Sequence, residues 1–268
     1  MKLNLGQPIN NRKSLMSMLL VPTHTLNTIP NHKTSMITLI LLPGMDGTGD
    51  LFAPLLAELS LAIQTRVVPY PRHEALGYAE LESYVLAAIP RTGSYLILGE
   101  SFSGPLAIMI AAKNPQGLIG LILCATFASN PYPRLTSISK IKGLAQLFKM
   151  PTWMISSLLL GRDSNADLRR QIRQAIRSVD IQVLHARMLA VLMSDVSKQL
   201  CDVDVPVLYL QASRDLLLPR SALTNIQRHK PAMRVATVAA PHCLLQAQAK
   251  LAATLIENFV HDLRHMDL

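Results

Sequence analysis

The 268-residue sequence has few cysteines and few aromatic residues, and both shortages exclude classes of protein. Its three cysteines, Cys124, Cys201 and Cys243, are odd in number and far apart, which fits neither a disulfide framework nor a metal-binding knuckle. We therefore expect no metal site and a reducing compartment, the cytoplasm. Aromatic residues make up only 4%, and no zinc-finger, RNA-binding or basic-zipper pattern is present. These features argue against a dedicated nucleic-acid-binding module.

The sequence also lacks long apolar runs. No stretch approaches the length that crosses a bilayer, so no transmembrane segment is expected. Basic residues precede a short apolar run within Arg12–Val21, but that run has no small-residue cleavage site and is followed by Pro22, so we expect no signal peptide. Hydrophobic residues nevertheless make up 50% of the chain, enough for a sizeable core. We therefore expect a soluble protein.

Basic residues outnumber acidic ones by 26 to 17, a net charge of +9, and +7 of this lies within residues 131–200. In that region Arg169, Arg173 and Arg177 recur every four residues, which predicts a positive stripe on a helix, opposite an apolar one. One interpretation is an ordinary solvated helix face. The other is a docking surface for something anionic, such as an acyl carrier, a coenzyme thioester or a phospholipid surface.

Predicted strands alternate with predicted helices along most of the chain. The run Met36–Leu42 is continuously apolar and rich in Ile and Leu, as expected of a central parallel strand covered on both faces. Further strands are predicted at 65–69, 95–100, 118–124, 206–212 and 233–238. Alternation of this kind predicts an α/β fold with a doubly wound, mostly parallel sheet.

Residues 131–200 interrupt the alternation. A proline-containing breaker at Asn130–Arg134 precedes helical patterns at 140–149, 152–160, 164–178 and 181–199. We interpret 131–200 as a helical cap inserted over the carboxyl edge of the sheet, and residues 1–130 and 201–268 as the core. Within the core, residues 1–33 are predicted to form either an edge strand or a loose arm.

A candidate nucleophile follows the strand at 95–100. Ser101 stands in the stretch Gly99-Glu100-Ser101-Phe102-Ser103, and small residues around a serine at a strand-to-helix turn are typical of a nucleophile elbow. The match is imperfect, because Ser103 occupies the second small position and Gly104 comes one residue late. The alternative is a polar helix N-terminus capped by Ser101 or Ser103.

A glycine-rich loop, Pro43–Gly49, follows the first buried strand. It contains neither Gly-x-x-x-x-Gly-Lys nor Gly-x-Gly-x-x-Gly, so the phosphate-binding loops are excluded and no cofactor is implied. In open parallel sheets, ligands bind outside the carboxyl ends of the strands. This loop and Ser101 are therefore expected at the same site.

Asp215 and His242 follow two later strands. Acyl transfer by a serine needs a base to take the hydroxyl proton and a carboxylate to hold that base, and parallel strands would bring Ser101, Asp215 and His242 together. With the glycine-rich loop and this order of reactive residues, the chain resembles the α/β-hydrolase family over residues 36–262.

The resemblance implies a role for each residue. Ser101 would be the nucleophile, His242 the base and Asp215 its orienter, and the backbone N–H groups of Met45 and Phe102 would form the oxyanion hole. The loop begins Pro-Gly where the family commonly has His-Gly, a change that leaves backbone donation possible.

Other residues compete for these roles. Ser103 is a second candidate nucleophile, and Asp215 could merely begin a turn. No acidic residue follows the strand that ends at Cys124, where the family's alternative acid would lie. Asp46 and Glu100 lie close to the predicted site, and we expect them to order loops.

The resemblance implies a serine hydrolase of the carboxylesterase type, acting on a small-molecule acyl ester or thioester without a cofactor or a metal. An acyltransferase is an alternative, because the loop Leu42–Gly49 is also similar to that of plant-type acyl-ester synthases of the same superfamily. A non-catalytic binding protein on a hydrolase scaffold is the third interpretation.

Overall fold

A computed structural model describes residues 36–133 and 152–266. The predictions for residues 1–33 and for a helix at 140–149 lie outside the described residues. The strands are β1 (Ile37–Leu42), β2 (Ile63–Val67), β3 (Tyr95–Glu100), β4 (Leu118–Cys124), β5 (Val207–Ala212) and β6 (Arg234–Val238). The α-helices are α1 (Ala53–Glu58), α2 (Tyr78–Ala88), α3 (Gly104–Ala111), α4 (Thr152–Leu160), α5 (Ala166–Arg177), α6 (Ile181–Met193), α7 (Ser197–Cys201), α8 (Arg220–His229), α9 (Leu244–Ala247) and α10 (Ala249–Met266).

The six strands form one sheet in the order β2-β1-β3-β4-β5-β6, and every neighbouring pair is parallel. The predicted α/β fold with a doubly wound, parallel sheet is thus confirmed. Because β1 lies between β2 and β3, the chain reverses its direction across the sheet at this point. Such a switch point opens a crevice at the carboxyl ends of β1 and β3.

Both faces of the sheet are covered, which explains the continuous apolar runs of the central strands. In β1, Leu39 and Leu41 pack into a cluster with α1 and α10, whereas Ile40 and Leu42 pack into another with α2, α3 and α8. All four side chains are fully buried. Each such side chain contributes about 1.5–3 kcal/mol, so burial on both faces makes β1 a rigid base for the loop that follows it.

The region between β4 and β5 contains four described helices, α4 to α7. The predicted helix at 181–199 is wrong in one respect, because it is broken at Ser194–Val196. There the Val196 N–H donates to Ala128 and the Ser194 carbonyl accepts from the Asn130 N–H, at 2.7 and 2.8 Å. These bonds to the segment after β4 replace helical ones, so two helices form instead of one.

Helices α4 and α5 pack against the edge of the sheet where the site is expected. Leu160, Leu168 and Ile172 form a buried cluster with Cys243, the neighbour of His242. The backbone N–H of Cys243 donates to the Leu159 carbonyl at 3.0 Å.

Throughout 36–133 and 152–266, no helix is long and apolar enough to span a membrane.

Candidate active site

Ser101 stands at a sharp, strained turn between β3 and α3. Its φ is 49°, a left-handed value that is uncommon for a residue other than glycine. A Cβ atom at Gly99 would lie 2.7 Å from the Ser103 carbonyl, so only glycine fits two residues before Ser101. The Ser101 carbonyl accepts a hydrogen bond from the Thr126 hydroxyl, which follows β4. Sequence and packing together therefore produce a strand-to-helix elbow with Ser101 at its tip.

The late glycine in this turn has a packing explanation. Gly104 lies against Thr126, and a Cβ atom there would overlap the Thr126 side chain. Ser103, at the position where glycine is usual, is fully buried and donates its hydroxyl to the Pro43 carbonyl. The Tyr70 hydroxyl lies 2.5 Å from the same Ser103 oxygen. Ser103 thus joins the elbow to the glycine-rich loop, and its buried hydroxyl is engaged in structural hydrogen bonds.

The structure brings Ser101, His242 and Asp215 into one row of hydrogen bonds. Ser101 Oγ lies 2.8 Å from His242 Nε2, and His242 Nδ1 lies 2.8 Å from Asp215 Oδ2. An ionised carboxylate only accepts hydrogen bonds, so the Nδ1 atom of a neutral ring carries the proton and Nε2 accepts from the serine. This arrangement can withdraw a proton from the Ser101 hydroxyl.

The Asp215 side chain is suited to remain ionised. Burial by itself raises the pKa of this carboxyl. The hydrogen bond and charge of His242 and the N–H groups of Leu218 and Leu217 lower the pKa by more than burial raises it, so the pKa is below its usual value. Oδ1 accepts from Leu217 and Leu218 at 2.7 and 2.9 Å. Asp215 therefore orders the turn after β5 and also holds His242.

The glycine-rich loop lies directly beside Ser101. A Cβ atom at Gly44 would be 3.9 Å from the Ser101 Cβ. The Gly47 N–H donates to the Gly44 carbonyl at 3.0 Å, which closes a turn around Met45. Within the described residues, the backbone N–H groups of Met45 and Phe102 have no hydrogen-bond acceptor. Neither N–H group is therefore engaged within the described part of the chain.

Asp46 and Glu100 flank the site and accept hydrogen bonds from different partners. Asp46 Oδ1 accepts from the Thr48 N–H and hydroxyl at 2.9 and 2.5 Å, so this carboxylate shapes the loop. Glu100 is buried and accepts from Gln246 at 3.0 Å. Burial raises the pKa of the Glu100 carboxyl to about 7. The hydrogen bond from Gln246 lowers this pKa, the nearby Asp46 raises it, and His242 lowers it.

Comparison with known proteins identifies the fold. The sheet and its flanking helices superimpose on a hydrolase from Oleispira antarctica with a TM-score of 0.71 and 17% identity, covering 84% of this chain and 90% of that one. An esterase from Exiguobacterium antarcticum gives 0.72 at 15% identity, and a bromoperoxidase from Bacillus anthracis gives 0.72 at 14%. Both cover 85% of this chain and 92% of their own. The chain has the α/β-hydrolase fold.

The sequence comparisons are more distant. Pimeloyl-(acyl-carrier protein) methyl ester esterase of Neisseria meningitidis is 23% identical over 235 residues, which are 82% of this chain and 92% of the relative. No protein-family model matches the sequence. The expected likeness to α/β-hydrolases is therefore confirmed by structure more strongly than by sequence.

Several residues that shape this site are missing from the sequence predictions. Thr126, Tyr70 and Gln246 support the elbow through single hydrogen bonds, and Arg187 contacts the glycine-rich loop from α6. Only Arg187 carries a signal in the sequence, as a lone charged residue within the otherwise apolar run Ala186–Met193. Within the described ranges, no group of three His, Cys, Asp or Glu side chains is arranged to hold a metal ion.

Proposed function

We propose that the protein is a serine hydrolase that cleaves carboxylic esters through an acyl-enzyme. The observation that carries this proposal is the row of hydrogen bonds Ser101–His242–Asp215, with 2.8 Å at each step. His242 Nε2 takes the Ser101 proton as Oγ attacks the ester carbonyl, and then passes it to the departing alcohol. Water, activated by the same nitrogen, releases the acid and regenerates Ser101.

The oxyanion of each tetrahedral intermediate would be bound by the N–H groups of Met45 and Phe102. The elbow and the loop that carry these groups are joined by the Ser103 bond to Pro43, and Tyr78 donates to the Phe102 carbonyl at 2.7 Å. Preorganised donors of this kind are worth a factor of about 100–1000 each in kcat. Asp215 would keep His242 in the reactive tautomer.

For the substrate, we propose an ester whose acyl group is attached to an anionic carrier. The relative from Neisseria meningitidis is an esterase for a methyl ester on an acyl carrier protein. In this chain the apolar face of α5 packs beside Cys243, while Arg170, Arg173 and Arg177 line an open depression of about 610 Å³ on the same helix. Arg169 donates to Ser164 at 2.9 Å and does not line the depression, whereas Arg170 lines it and is paired with Asp167.

The division into core and cap is part of this proposal. Of the described residues, 36–130 and 201–266 would form the catalytic core, and 131–133 and 152–200 would belong to a lid whose apolar side covers the acyl chain. The free cysteines Cys124, Cys201 and Cys243 support a reducing, cytoplasmic compartment.

A panel of p-nitrophenyl esters from acetate to palmitate tests the hydrolase proposal. We expect turnover by the parent protein and none by Ser101→Ala with an unchanged unfolding temperature. Turnover that survives in Ser101→Ala would contradict the proposed nucleophile. Added long-chain alcohol tests the acyltransferase alternative, because an acyltransferase would form the alkyl ester in preference to the free acid.

The carrier proposal is tested by reversing Arg170, Arg173 and Arg177 to Glu. We expect KM to rise at least tenfold for an ester on an acyl carrier protein and to stay within twofold for a neutral ester of equal chain length. Salt raised from about 0.05 to 0.5 M should imitate the change, because it shortens the screening length several-fold. The control reverses three exposed arginines elsewhere, Arg66, Arg91 and Arg228. Equal effects of the two triple variants would leave the basic face as ordinary solvated surface.

A further inference from the structure

Arg187 is an unusual side chain, because it carries a buried charge whose hydrogen bonds within the described residues all go to backbone carbonyls. Its Cζ also lies 5.6 Å from the centre of the Tyr70 ring, a cation–π contact. Arg187 extends from α6 with 1% of its surface exposed. Nη1 donates to the carbonyls of Asp46 and Met45 at 2.7 and 3.0 Å, and Nη2 donates to Pro71 at 3.0 Å. In the part of the chain that the structure describes, no carboxylate lies within ion-pair distance of this guanidinium.

A charge in this environment is expensive if its only purpose is to hold the fold together. Desolvation of an ion costs several kcal/mol, and apolar side chains of similar volume often stabilise a protein equally well or better. The neighbouring part of α6 already contacts the loop in that way, because Val183 and Leu184 form an apolar cluster against Met45. The polar contacts of Arg187 therefore point to a requirement of the loop itself.

The carbonyls that Arg187 binds belong to the turn that carries the Met45 N–H. That turn is closed on its other side by the Gly47 bond to the Gly44 carbonyl. Two fixed carbonyls within a four-residue turn leave its peptide planes little freedom to rotate. The Met45 N–H shares a peptide plane with the Gly44 carbonyl, which accepts from the Gly47 N–H, and that N–H shares a plane with the Asp46 carbonyl that Arg187 binds. Through these two linked planes, the guanidinium restrains the direction of the Met45 N–H.

Gly47 provides independent support for this restraint. Its φ is 66°, and a Cβ atom there would lie 2.5 Å from Arg187 Nη1 and 2.8 Å from Cζ. The glycine therefore serves both the left-handed backbone and the close approach of the guanidinium. The turn and the arginine are shaped to fit each other.

We propose that Arg187 is a positioning residue for the oxyanion hole, which holds the Met45 N–H toward the oxygen that gains charge in the transition state. This inference rests on the proposed hydrolase function. Because the interaction strengthens only as that charge develops, its loss should lower kcat and leave KM nearly unchanged. It also gives α6, a helix of the proposed cap, a role in the chemistry itself.

The test compares Arg187→Lys, Arg187→Met and Gly47→Ala with the parent protein on p-nitrophenyl butyrate. We expect kcat to fall about 10- to 100-fold in all three variants, with KM within twofold, since a donor displaced by about 1 Å can cost two orders of magnitude. Lysine should retain more activity than methionine, because its ammonium can still donate to one or two carbonyls. Arg66→Met, at an exposed site on β2, is the matched control and should match the parent.

A second readout separates positioning from loss of structure. Binding of an alkyl boronic acid, which becomes tetrahedral on the serine, should weaken by the same factor as kcat/KM. Thermal unfolding reports whether each variant folds, and Gly47→Ala keeps the charge if both Arg187 variants fail to fold. The inference would be overturned if kcat were unchanged in folded Arg187→Lys and Gly47→Ala, or if KM changed by the same factor as kcat. Either result would leave the parent protein an esterase. A parent that turns over no ester and is not labelled by a fluorophosphonate would overturn the proposed function, and this inference with it.

Discussion

Asp215 supports His242 with one carboxylate oxygen and the following turn with the other. Oδ2 lies 2.8 Å from His242 Nδ1, while Oδ1 accepts from two backbone N–H groups. The two interpretations of this residue, a turn former and an orienter of the histidine, are therefore compatible with each other. Three donors on one carboxylate also explain why its pKa is lowered despite burial.

The first prediction concerns this carboxylate. Asp215→Asn should keep the turn, because an amide oxygen can still accept from Leu217 and Leu218, but the amide nitrogen would favour the unreactive tautomer of His242. We expect kcat to fall by a factor of about 1000–10000 with little change in unfolding temperature. Steady-state kinetics on p-nitrophenyl butyrate checks this result, with exposed Asp202→Asn as the control. An unchanged kcat would remove Asp215 from the site.

The second prediction separates the two serines of the elbow. Ser103→Ala should still be labelled by a fluorophosphonate, whereas Ser101→Ala should not, because only Ser101 lies within hydrogen-bond distance of His242. Ser103→Ala should also lower the free energy of unfolding by about 1–3 kcal/mol, since the Pro43 carbonyl would lose its partner. Labelling and urea denaturation measure the two effects. Lost labelling in folded Ser103→Ala would reverse the assignment.

The third prediction is a pH dependence of stability that originates at Glu100. The native pKa of about 7 lies above the unfolded value near 4.5, so between these pH values the native state binds more protons than the unfolded state. This carboxyl therefore costs increasing stability as the pH rises from 4.5 to 7, and the cost is constant above that range. Glu100→Gln keeps an acceptor for Gln246 without the charge. Its free energy of unfolding, relative to the parent, should increase by about 2–3 kcal/mol between pH 5 and pH 8.

Urea denaturation at several pH values measures this difference. Comparison of variant with parent cancels the titration of groups that do not interact with Glu100. Exposed Glu80→Gln, at the start of α2, is not a suitable control because Glu80 accepts from the Gly77 N–H at 3.0 Å. Exposed Glu58→Gln serves better, and its difference from the parent should not vary over this range. A flat difference for Glu100→Gln as well would mean that the buried carboxyl stays ionised.

The fourth prediction tests the packing of the elbow. Gly104 begins α3 with a helical φ of −59°, where alanine would ordinarily stabilise a helix by up to about 1 kcal/mol. Gly104→Ala should instead destabilise the protein by about 1–3 kcal/mol, because the new Cβ overlaps Thr126. Thermal or urea unfolding measures the change. Gly93→Ala, where φ is 87° but the space is open, isolates backbone strain and should cost about 1 kcal/mol.

Much of the fold and of the candidate site could be predicted from local patterns. The strands were recognisable because central parallel strands are covered on both faces and therefore read as continuous apolar runs. The positions of Ser101, Asp215 and His242 after three such strands then implied that they meet, since parallel strands end at one edge. The structure brings the three side chains together, with 2.8 Å from Ser101 to His242 and from His242 to Asp215, while their catalytic roles stay a proposal.

The errors arose where distant segments compete with local preference. The pattern at 181–199 is helical throughout, yet residues 194–196 leave the helix to bond with the segment after β4. Neither side of that competition is visible in a window of ten residues. The same reason explains why Gly104 was described as one residue late in the elbow pattern. Its lack of a side chain makes room for Thr126, which follows the next strand, β4.

The sequence by itself determined the order of the elements, the apolar runs of the sheet and the residue types at the ends of the strands. Tertiary structure alone decided which hydroxyl of the elbow reaches His242 and which charge supports the glycine-rich loop. Arg187 and Asp46 are 141 positions apart, and no periodicity links them. Local patterns record how each segment buries its own surface, whereas the contacts that hold a site in place form only when separate segments pack together.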